Sequence, residues 1–101
     1  MQTNTKRYIT RGVNEEVSLN IQILLWNLIE STSYEVELDY LQVFELKVIN
    51  SNGITAQKII HKQEVPYYQK EYTLNIDNPV NAKLYVIDSI DYVTMMLAEE
   101  Y

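Results

Sequence analysis

Only one segment of this chain has helical periodicity, and nearly everything after it alternates like strand. Between Val17 and Ile29, at about 100° per residue, Val17, Ile21, Leu24, Leu25, Leu28 and Ile29 fall on one wide apolar stripe. Ser18 stands where an N-cap belongs, and Glu15 and Glu16 suit the positive end of the helix dipole. Ser31-Thr32-Ser33 prefers turns and ends the helix. The opposite side of the helix carries Leu19, Ile23 and Trp26, with Gln22, Asn20, Asn27 and Glu30 separating the two stripes thinly. A helix lying on a sheet needs one apolar stripe. The second is surplus, and three things can cover it: the chain's own loops through Tyr34, Val36 or Tyr67, a second copy, or a foreign partner.

Tyr8–Val13 reads as a short first strand ended by Gly12, with 14–16 as a turn into the helix. Tyr40–Ile49 is rich in aromatic and β-branched residues. Asn50-Ser51-Asn52-Gly53 is a hairpin turn and Ile54–Gln63 the returning strand. Two registers compete. With Ile49 opposite Ile54, Glu45 faces Lys58. With the turn centred on Asn52-Gly53, Lys47 faces Lys58. Opposed like charges cost up to ~1 kcal/mol, so the first is expected. Glu64–Gln69 contains Pro66 and reads as an irregular connection. Lys70–Ile76 alternates apolar and polar residues, and Ala82–Ile87 and Tyr92–Ala98 are further strands.

Short connections favour antiparallel neighbours. The 101 residues are read as a single α+β domain, 1–101: a mostly antiparallel sheet with one long amphipathic helix across it. Tyr85, Ile87, Tyr92 and Met96 cannot all point at one helix. Either the sheet curls into a partial barrel or a partner covers a second surface.

The chain has no cysteine, which removes disulfides, thiolate catalysis and Cys-based zinc sites together. Its N-terminus lacks an apolar run of the signal-peptide kind, and Ile21–Ile29 is too short to span a bilayer. A cytoplasmic protein without membrane attachment is expected. The net charge of −6 disfavours nucleic acid and anionic lipid overall. The charge is uneven: basic at Lys6, Arg7 and Arg11, acidic from Glu15 to Glu45, lysine-rich in the middle and acidic again at the end. That is either a bipolar molecule suited to a complementary partner or an ordinary mixed surface.

No pattern for catalysis emerges. The one histidine, His61, lies mid-strand and is read as a strand-surface residue, and no serine stands in a nucleophile elbow. Gly12 and Gly53 are too isolated for a phosphate loop. Glu35, Glu37 and Asp39 lack the spacing of a calcium loop. No cofactor or metal is called for. Glu30, Glu35, Glu37 and Asp39 gather at and beyond the helix C-terminus, where the dipole favours cations. Such an edge either docks a basic protein surface or imitates the phosphate spacing of DNA. Separately, Tyr67, Tyr68 and Tyr72 surround Lys70, with Lys62 upstream. Tyrosines beside lysines bind single-stranded nucleic acid without sequence readout, and tyrosine is also common on protein-binding surfaces.

The segments Arg7-Tyr8-Ile9-Thr10-Arg11-Gly12-Val13, Leu38–Leu46 (LDYLQVFEL) and Leu97-Ala98-Glu99-Glu100-Tyr101, with Gln63-Glu64-Val65-Pro66, resemble the family called domain of unknown function nine-sixty. These are short proteins of staphylococci and related Gram-positive bacteria. The resemblance runs over the whole chain and transfers no activity, cofactor or catalytic residue. It implies an accessory role on mobile cassettes, directed at DNA-handling proteins. The expectation is therefore a non-enzymatic protein-binding module, an adaptor or inhibitor, using Leu19, Ile23, Trp26, Glu30, Glu35, Glu37 and Asp39, with homodimerisation open. The alternative is a single-strand nucleic-acid module using Lys62, Tyr67, Tyr68, Lys70 and Tyr72.

Overall fold

In the computed structural model, Met1 and residues 5–101 are described. The chain runs β1 (Lys6–Ile9), α1 (Arg11–Glu16), α2 (Leu19–Thr32), β2 (Leu41–Ser51), β3 (Ile54–Gln63), β4 (Tyr68–Leu74), β5 (Ala82–Asp88), β6 (Tyr92–Leu97) and a 3-10 turn, Ala98–Glu100. The strands form one mixed sheet in the order β1-β6-β5-β2-β3-β4. β1 lies parallel to β6, and the other four pairings are antiparallel. The α+β expectation holds at this level. The partial barrel does not form: β1 and β4 are separate edges of an open sheet.

The helix signal translates closely. Ser18 caps α2 by accepting from the backbone N–H of Ile21. Ile21, Leu25 and Ile29 seat the helix on a core of Phe44, Leu46, Ile59, Leu84, Val86 and Met95. The N-terminal strand is shorter than its sequence suggests. Thr10 accepts from the Val13 N–H and starts α1, so Gly12 opens a helix and 14–16 continue it. Val17 is the C-cap of α1 and still enters the core.

The hairpin register is the clearest correction. Asn52 (φ 53°) and Gly53 (φ 80°) form a two-residue turn that pairs Ser51 with Ile54. Both central residues take positive φ, as the right-handed strand twist favours. Glu45 therefore lies opposite Ile60, and Lys47 opposite Lys58. Third parties relieve the opposed lysines: Lys58 reaches Glu71 on β4 at 3.8 Å, and Glu45 pairs diagonally with Lys62.

Candidate functional site

Strand parity assigns every sheet residue to one of two faces. The helix-covered face takes Gln42, Phe44 and Leu46 of β2, Gln57, Ile59, His61 and Gln63 of β3, and Leu84 and Val86 of β5. His61 is 0% exposed, so its reading as a strand-surface residue is corrected. Its ring stacks on Phe44 at 4.4 Å between centroids and meets the edge of Tyr68. Burial pushes its pKa down to about 4.

A chain of amides fixes the tautomer. His61 Nε2 lies 2.7 Å from Gln42 Oε1 and must donate, because the Gln42 amide donates to Asp39 O and Gln63 Oε1. Gln63 in turn donates to the carbonyls of Glu37 and Pro66. Gln57, also fully buried, accepts from Val80 N–H at 2.7 Å and donates to carbonyls around it. These buried amides tie loops to the sheet and leave the imidazole without access to a substrate. Their signal was parity: each shares the face of Phe44 or Ile59.

The acidic candidates are mostly engaged locally. Asp39 accepts from the N–H groups of Tyr40 and Val65, and Glu35 accepts from the Tyr68 hydroxyl at 3.1 Å. Glu37 is exposed, and Glu30 lies 4.0 Å from Arg7. Leu19 (67% exposed) and Ile23 (49%) stand in solvent, uncovered by the chain's own loops. Trp26 is half-buried, with the Arg7 guanidinium 5.1 Å above its ring.

The nucleic-acid candidates are divided between the two faces. Tyr68, Lys70 and Tyr72 sit opposite Gln63, His61 and Ile59 on the helix side. Burial raises the Tyr72 phenol to about 12. Lys62 points the other way, into its pair with Glu45. Its ammonium holds the Glu45 carboxyl below the usual carboxylate range, helped by Lys47 and Lys83. Tyr67 is exposed in the connection beside Lys62.

The second face of the sheet has no layer over it. Tyr85, Ile87, Tyr92 and Met96, the four residues one helix could not serve, all lie there. Tyr8, Leu41, Val43, Ile60 and Thr94 extend it. Only the C-terminus folds partly across: Tyr101 meets Tyr85 edge-on at 5.5 Å. Two depressions open on this face. One, about 280 Å³, is bounded by Tyr40, Leu41, Val43, Lys62 and Tyr67; the other is bounded by Ile87, Tyr92, Thr94, Met96 and Tyr101. Among the described residues no group of three or more His, Cys, Asp or Glu side chains is arranged to hold a metal, and no helix is long and apolar enough to cross a membrane.

The fold has a solved counterpart. A crystal structure of a protein of unknown function from Enterococcus faecalis superposes with a TM-score of 0.78 at 19% identity, covering 99% of this chain and 93% of that one. At that identity the likeness concerns the fold alone. Among curated proteins none matches. A family model described as a staphylococcal protein of unknown function (DUF960) matches residues 6–100. With nearly its whole length matched, the chain belongs to that family.

Proposed function

We propose that this protein is a non-enzymatic binding module, an adaptor or inhibitor, that docks a partner protein through the open face of its sheet. The observation that carries this reading is the uncovered belt of Val43, Ile60, Tyr85, Ile87, Tyr92 and Met96. A half-buried apolar surface with a cleft at each end is the anatomy of an interface core within a polar rim. Tyrosine, nine residues here against one phenylalanine, supplies contact area at low entropy cost. Ile90 adds support at the rim. It is 86% exposed, at φ 77°, on the β5–β6 turn. A β-branched residue in that region is strained where Gly or Asn would not be. The exposed helix stripe of Leu19 and Ile23 is a second, smaller contact surface.

Site-specific photo-crosslinking in a staphylococcal host tests the reading. A benzophenone amino acid at Tyr92 or Met96 should give discrete protein adducts. The same group at Ile23 should give fewer, and at the half-buried Tyr72 on the helix side none. Adducts confined to Ile23 would move the interface to the helix, and adducts at none of these positions would end the proposal.

A further inference from the structure

Sorting the charged side chains by face separates them sharply. The open face carries Lys6, Lys47, Lys58, Lys62 and Lys83 against Glu45 and Glu71, a net of +3. The three other cations and twelve other carboxylates of the chain leave −9 elsewhere, which together restore the −6 of the whole. A protein this acidic has thus placed five of its six lysines around its uncovered apolar belt. Lys58 and Lys62 are already paired with Glu71 and Glu45. Among the described residues Lys6, Lys47 and Lys83 make no salt bridge, and Lys83 rests over the Tyr85 ring at 5.7 Å.

We infer that the open face takes an acidic segment of a partner protein, with an apolar side chain of that segment seated in the cleft between Tyr40 and Tyr67. This rests on the docking role proposed above and gives the partner its chemistry. Three features select this occupant. The cleft walls of Tyr40, Leu41, Val43 and Tyr67 suit an aliphatic or aromatic anchor, and Lys62 at its side suits a neighbouring carboxylate. A second copy fits poorly. Face-to-face pairing opposes +3 with +3, and placing the open face on another copy's acidic helix side is a head-to-tail contact that does not close. Nucleic acid fits poorly too. Tyr8 and Tyr92 meet edge to face at 84°, Tyr85 and Tyr101 at 90°, so the rings do not present parallel stacking platforms. Glu45 and Glu71 on the same surface repel phosphates.

The test is selection from a random-sequence displayed peptide library on the intact protein, with amide shift mapping of the enriched peptides. Enriched sequences should combine Asp or Glu with a large apolar residue and perturb Val43, Tyr67, Tyr85 and Met96. Their affinity should fall about tenfold or more in Lys47→Glu with Lys83→Glu and decline with added salt, as desolvated complementary charge requires. Both lysines flank the belt without entering the core, so circular dichroism of the variant should be unchanged. Tyr67→Ala should weaken the same peptides. Peptides that map to the open face without acidic bias would overturn the inference and leave the docking role standing. No peptide perturbing that face would overturn both. An oligothymidine binding there more tightly than the peptides, or a dimer by sedimentation that buries the face, would give the surface to nucleic acid or to self-association and overturn the inference.

Discussion

Acidification should unfold this protein through one buried ring before its carboxylates titrate. His61 has an ordinary pKa of 6.5 when unfolded and about 4 in the fold, where burial opposes its charge. In that interval the unfolded chain binds the extra proton and the native state refuses it. Stability is therefore fully present above pH 6.5 and is lost as pH falls toward 4. At about 1.4 kcal/mol for each pH unit between the two values, the loss is about 2 kcal/mol by pH 5 and about 3 kcal/mol by pH 4. Glu45 and Glu100 are held below their ordinary 4.5, so their contributions are lost only below that pH. The span from 6.5 down to about 5 thus isolates His61. Urea unfolding followed by Trp26 emission measures the loss across it. His61→Gln keeps a donor toward Gln42 and removes the titrating group. It should start less stable and show a nearly flat pH dependence in that span. Parallel slopes in wild type and variant would refute the argument, as would an imidazole that titrates near 6.5 in the folded protein by NMR.

Two further substitutions test the packing. Gly12→Ala should lower the melting temperature, although Ala is intrinsically about 1 kcal/mol better than Gly in a helix. A Cβ there would meet Glu100 Oε2 at 2.6 Å and Leu97 Cδ1 at 2.9 Å, so a higher melting temperature would show that the C-terminal turn yields freely. Gln57→Leu should cost about 2 kcal/mol by urea titration, because Val80 N–H loses its 2.7 Å acceptor. Hydrogen exchange at Val80 should accelerate in step, and unchanged protection there would contradict the assigned role.

What the sequence disclosed was what one segment decides by itself. Ser18 and the i, i+4 spacing of Ile21, Leu25 and Ile29 are local, and they placed α2 almost to the residue. The hairpin was located by its turn residues, yet its register followed the turn's backbone and not the charge pairing. A pairwise rule between β2 and β3 does not see Glu71 arriving on β4 beside Lys58. His61 and the buried glutamines were missed for a related reason. A polar residue in a strand reads as solvent-facing until its amide partners, 19 to 26 residues away, are known. The division of the tyrosine–lysine cluster has the same origin: Lys62 and Lys70 are near in sequence, but the turn between β3 and β4 sends them to opposite faces.

The segments that identify the family explain why family membership carries no site with it. Arg7–Val13 and Leu97–Tyr101 meet at one carboxylate. Glu100 accepts from the Thr10 hydroxyl at 2.6 Å and from Leu97 N–H at 2.8 Å, and Gly12 lacks the Cβ that would displace it. Those bonds hold the Glu100 carboxyl below the usual carboxylate range. Leu38–Leu46 and Gln63–Pro66 meet in a second closure. There Gln63 bridges Glu37, Asp39, Gln42 and Pro66, and Val65 N–H donates to Asp39. One closure fastens the N-terminus to the C-terminus; the other fastens the loop before β2 to the loop after β3. Both position backbone, which accounts for their specificity in combination. Ile60, Tyr85, Ile87, Tyr92, Thr94 and Met96 lie in none of these four segments, and all of them face away from the helix. The fold is therefore secured by one set of residues while the open face is furnished largely by another. The surface can change its partner without disturbing either closure.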